Sequence, residues 1–266
     1  MSDIPVTGLP LDDITAEGPR LVLRLAERGL VARLVGGVGV AAHRHGDSPA
    51  ALDRGYGDLD VVVPAGSSKR LASALDELGY QGNRRFNALH GDRRMMFHDR
   101  RLGRQLDVLV GVFAMCHTLE LSDRLGTGGV ALTPADLLLT KLQVVEINGK
   151  DLLDAVSLLH HHELAERADL DADVLDLGRL AEVCGQSWGW HATVTDNLPR
   201  VTDAAAELLA DAPADAVADQ VERITARLAD CPKSLRWRAR ARVGRRVAWY
   251  ELPEEVATDV GGAARG

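Results

Sequence analysis

Three aspartates sit in segments whose other residues are apolar. In DRGYGDLDVVVP, residues 53–64, Asp58 and Asp60 open a run of Leu59, Val61, Val62 and Val63 that stops at Pro64. In RQLDVLVG, residues 104–111, Asp107 lies among Leu106, Val108 and Val110. Both runs read as buried strands, where an unpaired carboxylate is unfavourable by several kcal/mol. Residues i and i+2 of a strand share a face, so Asp58 and Asp60 project side by side with Val62 beyond them, and Leu59, Val61 and Val63 take the other face. Leu106, Val108 and Val110 likewise lie opposite Asp107. Two chemistries meet that constraint. Asp58 can cap a turn while Asp60 and Asp107 form salt bridges. Alternatively, three carboxylates from two strands hold one or two Mg²⁺ (or Mn²⁺) ions, because a hard cation takes oxygen ligands and completes its shell with water and substrate phosphates.

The elements that must position these residues can be read around them. LVGGVGV places Gly36 and Gly37 between an apolar strand and a short helix, GVGVAAHRH. Backbone N–H groups there can approach a polyphosphate with no β-carbon in the way, although a tight turn is the plainer reading of a glycine pair. Residues 19–30 read as a helix ending at Gly29, DLDVVV as a strand, SSKRLASALDELGY as a capped helix, and residues 93–111 as two strands around a polar turn at 100–103. From Thr133 onward the pattern is long, Ala/Leu-rich and helical. The order is that of a mixed α/β (α+β) layer, a mixed sheet with flanking helices, followed by a helical C-terminal domain. The division falls near residues 126–129, giving domains 1–128 and 129–266.

Gly36-Gly37, then Asp58-Leu59-Asp60, then Asp107 resemble the nucleotidyltransferase superfamily typified by DNA polymerase β, and particularly its AbiEii-like branch of bacterial abortive-infection and toxin proteins. In that branch the glycine pair is followed by Arg, three residues and Asp-hydrophobic-Asp, which residues 54–60 reproduce. The likeness covers residues 34–159. One departure is Tyr56, where the family often has a small hydroxyl residue two before the first Asp. The resemblance implies a nucleotidyltransferase-type sheet and transfer of a nucleoside monophosphate from an NTP, such as ATP, to an acceptor hydroxyl. It implies metal ligation by Asp58, Asp60 and Asp107, with Asp107 as the alternative general base, and nucleotide binding by Gly36, Gly37 and Arg54. tRNA is the acceptor of toxins in this branch, and a cognate antitoxin is the partner they imply.

The helical part bears on the site independently. TPADLLLTKLQVVEI begins with Thr133 as N-cap, Pro134 at the first helical position and Asp136 three after the cap. At about 100° per residue, Lys141 falls among Leu137, Leu138, Leu142, Val144 and Val145 on the core side, with Asp136, Thr140, Gln143 and Glu146 on the opposite arc. A lysine there snorkels, loses its proton or meets an anion. The family would use it on the nucleotide's phosphates or to assist the attacking hydroxyl. After the Asn148-Gly149 break, KDLLDAVSLL starts another helix, in which Asp151 lies beside Ala155 and Leu158, nearer the apolar face than Asp154. Carboxylates in a first turn also complement the helix dipole. The branch's pattern of Lys or Arg, Asp, two residues and Asp matches Lys150, Asp151 and Asp154, and adds Asp151 to the candidates.

Other features are plainer. HHH at residues 160–162 reads as a solvated helix end, and His43 and His45 as surface residues within reach of a nucleotide. Seven arginines in residues 84–104, and seven basic residues with Trp237 in KSLRWRARARVGRR, residues 233–246, suit a phosphate backbone with unstacked bases, as at a tRNA end, or else a solvated face. The net charge of −8 argues against indiscriminate nucleic-acid binding and leaves room for such local patches. Apolar stretches fall far short of the roughly 20 residues of a bilayer span, so no membrane partner is expected. The N-terminus is acidic and lacks an apolar leader, and Cys116, Cys184 and Cys231 suit reduced thiols, so a cytoplasmic location is expected. A small hydroxylated molecule of aminoglycoside type is the alternative acceptor. A catalytically silent nucleotide- or RNA-binding module is the alternative class.

Overall fold

The computed structural model describes residues 9–126 and 128–251. Residues 1–8 and 252–266, the ends of the two expected domains, lie outside the described residues. The first part of the chain runs α1 (Ile14–Ala26), β1 (Arg33–Val35), α2 (Gly36–Ala41), β2 (Asp58–Val63), α3 (Ser68–Glu77), β3 (Tyr80–Gly82), α4 (Arg84–His90), β4 (Arg94–Asp99), β5 (Gln105–Val110), β6 (Val112–Ala114) and β7 (Thr118–Glu120). The second runs α5 (Pro134–Leu142), α6 (Gly149–His161), β8 (Leu164–Ala165), β9 (Leu175–Asp176), α7 (Leu177–Gln186), α8 (Trp188–Leu208), α9 (Asp211–Asp230) and α10 (Leu235–Val243). Five strands form one mixed sheet in the order β1-β2-β5-β4-β3. β2 and β5 are parallel, and the other neighbours are antiparallel. The chain is thus a mixed α/β fold with a helical C-terminal region, as its pattern predicts. No described helix is long and apolar enough to cross a membrane.

The sheet is covered on both faces, and the alternation of side chains decides what each face meets. Leu59, Val61 and Val63 join Leu106, Val108 and Val110 in a cluster with Leu21 and Leu25 of α1 and Leu71 and Leu75 of α3. Val35 and Val62 belong to a second cluster with Leu138 of α5, Val156 and Leu159 of α6, and apolar residues of α7, α8 and α9. The strand face that carries Asp58 and Asp60 is therefore the one roofed by the C-terminal helices. The segment entering α5 is stitched to the sheet edge: Leu34 N–H donates to Val130 O at 2.9 Å, and Leu132 N–H to Leu34 O at 3.0 Å.

Several elements differ from their sequence pattern. α1 starts at Ile14, where Asp13 accepts the Thr15 N–H, so Pro19 lies inside the helix and not at its first turn. β3 and α4 have no counterpart in the predicted order, because α4 buries no residue and so carries no apolar stripe. α5 stops at Leu142, and Asn197 Nδ2 donates to the freed carbonyls of Leu142 and Val144 at 2.9 and 2.8 Å. Every residue of α5 is buried, so the polar arc of Asp136 and Thr140 faces protein; Asp136 is paired with Arg124 and Arg179, each at 2.8 Å. His161 and His162 are buried too, and not a solvated helix end.

Glu17 is a buried keystone beneath the sheet. It accepts from Arg20 Nε at 2.6 Å, from the Tyr80 hydroxyl at 2.6 Å and from the Leu11 N–H at 2.9 Å. Arg20 and Tyr80 are both 1% exposed. Glu17→Ala removes a buried ionic partner and should lower stability by about 3–5 kcal/mol, read from urea unfolding. A loss below about 1 kcal/mol would show that the cluster contributes no more than a surface pair.

Candidate active site

The parallel register pairs Asp60 of β2 with Asp107 of β5, and Asp58 with Gln105. Asp58 is exposed, Asp60 half-buried and Asp107 buried. The carboxylates of Asp58 and Asp60 make no hydrogen bond or ion pair with any described residue. Asp107, by contrast, is held: Arg94 of β4 places Nη2 3.0 Å and Nε 3.1 Å from its Oδ1, and Gln105 Nε2 donates to Oδ2 at 2.7 Å. Three carboxylates against one guanidinium leave two negative charges unbalanced. Burial first, then the neighbouring Asp58 and Asp107, push the Asp60 carboxyl up to about 7, with Lys141 and Arg94 pulling the other way.

The glycine pair fits around these groups. Gly36 has φ +67°, a left-handed conformation that side chains rarely adopt, and a β-carbon there would fall 2.2 Å from Asp60 Oδ2. At Gly37 a β-carbon would fall 2.0 Å from Arg54 Nη2. The Arg54 guanidinium lies over the Tyr56 ring, 4.4 Å from its centroid, so the residue that departs from the family pattern forms a shelf for the arginine.

A second set of charges faces the first from the helical layer. Asp154 of α6, with its side chain 1% exposed, accepts from Arg54 Nε at 2.9 Å and Nη2 at 2.8 Å and pairs with Lys141 Nζ at 2.8 Å. Lys141 Nζ also donates to Asp151 Oδ1 at 2.9 Å, and Asn148 Nδ2 donates to Asp151 Oδ2 at 2.9 Å. Burial works against the Lys141 ammonium, but Asp154 and Asp151 outweigh it and hold its pKa above the ordinary value. Of the three fates open to a core-facing lysine, the structure selects the meeting with anions. Two cations and two carboxylates balance within this set.

The structure brings Asp58, Asp60 and Asp107 together on one sheet face. It joins Arg54, Lys141 and Asp151 through a residue the sequence reading placed second, Asp154. The signal for Asp154 was its place four before Leu158 and seven before His161, on the buried arc of α6. Arg94 and Gln105 were not singled out as ligands of Asp107. Other arginines of the basic segment are committed elsewhere: Arg104 binds Asp99 at 2.7 Å and the Leu11 carbonyl at 2.6 Å, and Arg101 donates to the Pro10 carbonyl at 2.8 Å. Around α10, Arg240 caps the Val247 carbonyl at 2.7 Å and lies 4.9 Å over the Trp188 ring, whereas Arg236, Arg238 and Arg242 are exposed. α10 borders a cleft of 1020 Å³ whose lining includes Trp188, Trp237, Trp249 and Tyr250.

No protein-family model and no curated protein matches the chain. Three solved structures align with most of it. One is an antigenic nucleotidyltransferase-like protein from Paracoccidioides brasiliensis, 16% identical with a TM-score of 0.45, over 75% of this chain and 94% of that one. A provisionally named nucleotidyltransferase from H. pylori is 14% identical with a TM-score of 0.38, over 84% and 100%. JHP933 from Helicobacter pylori is 13% identical with a TM-score of 0.36, over 82% and 95%.

The raised pKa of Asp60 has a consequence for stability. Its protonation favours the folded state, and that contribution is fully present below the ordinary value of 3.8 and lost as pH rises through about 7. Asp60→Asn removes the repulsion without changing volume much. In metal-free buffer it should exceed wild type in stability above pH 7 by on the order of 2 kcal/mol, the gain shrinking towards pH 4. Melting curves of both proteins across that range check this, and an equal Tm at every pH would mean that Asp60 bears no repulsion.

Proposed function

We propose that the chain is a Mg²⁺-dependent nucleotidyltransferase that moves a nucleoside monophosphate from an NTP to an acceptor hydroxyl. The observation that carries this reading is the pair Asp58 and Asp60: two neighbouring carboxylates with no side-chain hydrogen-bond or ion-pair partner among the described residues, beside a third, in a site with excess negative charge. An all-oxygen donor set with that charge fits Mg²⁺ or Mn²⁺, with Asp58 and Asp60 as ligands and Asp107 beside them. A bound ion there supplies charge neutralisation for the triphosphate and for the departing pyrophosphate.

The chain's own residues then have distinct tasks. Lys141 spends two of its three N–H donors on Asp151 and Asp154, which leaves one for a phosphate oxygen and fixes the direction in which it points. Arg54, clamped by Asp154 and shelved on Tyr56, adds a second positive group next to Gly37, where the absence of a β-carbon lets it lie close to the turn. The acceptor oxygen attacks the α-phosphorus, the bond from that phosphorus to the β-bridging oxygen breaks, and pyrophosphate leaves. Asp107, whose Oδ1 is taken up by Arg94 and whose Oδ2 keeps a free lone pair beyond the bond from Gln105, takes the acceptor's proton.

The acceptor in this reading is RNA such as tRNA. The aromatic cleft beside α10 supports it: Trp237, Trp249 and Tyr250 line it together with the exposed Arg236, a mix of aromatic rings and positive charge that suits single-stranded nucleic acid. With the AbiEii-like resemblance, that makes the chain a toxin with a cognate antitoxin as partner. Incubation with each α-labelled NTP, Mg²⁺ and either total tRNA or a panel of small alcohols should transfer label to RNA. Asp58→Asn should lower kcat by more than tenfold, about 1.4 kcal/mol. Label on a small alcohol alone would favour an aminoglycoside-type acceptor. Absence of transfer from every NTP would leave a silent binding module.

A further inference from the structure

His43, His162 and Asp173 converge at the far end of the helices that carry the candidate active site. His43 follows α2, His162 ends α6, and Asp173 lies in the connection between β8 and β9. Along α6, His162 stands about 12 Å from Asp154 at 1.5 Å per residue. Each residue offers a ligand atom, and these atoms lie within 4.8 Å of one another.

The hydrogen bonds of the two rings fix which nitrogen faces the carboxylate. His43 Nε2 lies 2.7 Å from the Leu132 carbonyl and His162 Nδ1 lies 2.8 Å from the Leu158 carbonyl. A carbonyl only accepts, so those nitrogens carry the protons. In the neutral rings the lone pairs are then on His43 Nδ1 and His162 Nε2. These point at one oxygen, Asp173 Oδ1, from 3.4 and 3.1 Å. Two lone pairs aimed at a carboxylate oxygen repel unless a cation lies among them. The His162 side chain is only 1% exposed, which disfavours a bare imidazolium there.

We propose that His43 Nδ1, His162 Nε2 and the Asp173 carboxylate bind one Zn²⁺-class transition-metal ion, separate from the aspartate site. Tetrahedral Zn²⁺ at 2.0–2.1 Å from its ligands sets them about 3.3 Å apart, close to the two spacings found. Imidazole nitrogens select such a metal over Mg²⁺, which takes oxygens. Both rings already donate their other N–H to backbone carbonyls, which fixes their tautomer and orientation. Asp173 has its side chain 60% exposed and opens the site to solvent, giving an entry path and a water for the fourth position. His45 Nδ1 lies 3.1 Å from the His43 carbonyl and so carries its proton, which leaves that nitrogen no lone pair for the ion. The ion would tie α2 to α6 and so brace the two helices that carry Gly36 and Asp154.

The test uses the full chain, stripped with chelator and titrated with Zn²⁺ or Co²⁺ in excess Mg²⁺, which occupies hard oxygen sites. One equivalent of Zn²⁺ should bind and raise Tm, and Co²⁺ should give a visible d–d spectrum with nitrogen ligands. Loss of a partner behind a ligand weakens such sites 10–100-fold, so loss of a ligand in Asp173→Asn or His43→Ala should weaken binding by at least about 100-fold and abolish the Tm rise. Asp173→Asn alters an exposed loop residue, and far-UV circular dichroism verifies its fold. Asp58→Asn should bind Zn²⁺ as wild type does. If wild type binds no Zn²⁺, or Asp173→Asn binds it equally well, Asp173 serves only as an ion-pair partner of protonated histidines and the proposal fails.

Discussion

The parallel pairing of β2 with β5 sets Asp60 beside Asp107, with Asp58 one pleat along, and so packs three carboxylates onto one face of an otherwise apolar sheet. Like charges at that spacing, partly removed from water, repel strongly, and the surrounding structure is organised by how much of the repulsion it relieves. Arg94, reaching from β4, relieves part of it at Asp107. Lys141 and Arg94 ease the charge at Asp60 only in part, so burial and the neighbouring aspartates still hold its pKa up. A fold that crowds these carboxylates together carries a standing cost in stability, and a divalent cation removes it.

The helical layer meets that face without cancelling its charge. Lys141 and Arg54 are the nearby cations, yet each is bound to Asp154, so their positive charge is directed and not spent on the aspartates. Asp154 joins α6 both to α5 and to the segment leading into β2 through a buried carboxylate. Removing it would leave two buried or half-buried cations without their main counter-charge, which is the expensive way to break an ion-pair network. Gly36 and Gly37 are needed for the same reason of space: a side chain at either would strike Asp60 or Arg54. The site is thus a sheet face with excess negative charge, facing a pair of clamped cations.

Much of this was legible in the residues. Alternation in DLDVVV and QLDVLV gives the two strands and puts Asp58 and Asp60 on one face, because period two admits no other arrangement; the register that sets Asp107 beside them comes from the pairing of β2 with β5. The Thr133-Pro134 start of α5 and the core-facing Lys141 follow from capping and periodicity. Long-range partners were not legible. Arg94 meets Asp107 across a strand register, and Arg54 meets Asp154 across a hundred residues, neither of which local pattern encodes. Asp151 outranked Asp154 because apolar neighbours were counted on one helix alone, whereas the burial of Asp154 comes from packing of α6 against its surroundings. The histidines at 160–162 looked solvated for the same reason: the residues that cover them, His43 and His45 among them, arrive from far away in sequence.

The central claim is that the unbalanced charge at Asp58 and Asp60 is there to receive a divalent cation. Calorimetric titration of the metal-free chain with Mg²⁺ near pH 7, in buffers of different ionisation enthalpy, tests it most directly. With the Asp60 carboxyl near 7, binding should release about half a proton per ion, and Asp60→Asn should abolish that release. Absence of Mg²⁺ binding in the wild type, or binding as tight in Asp60→Asn as in the wild type, would contradict it.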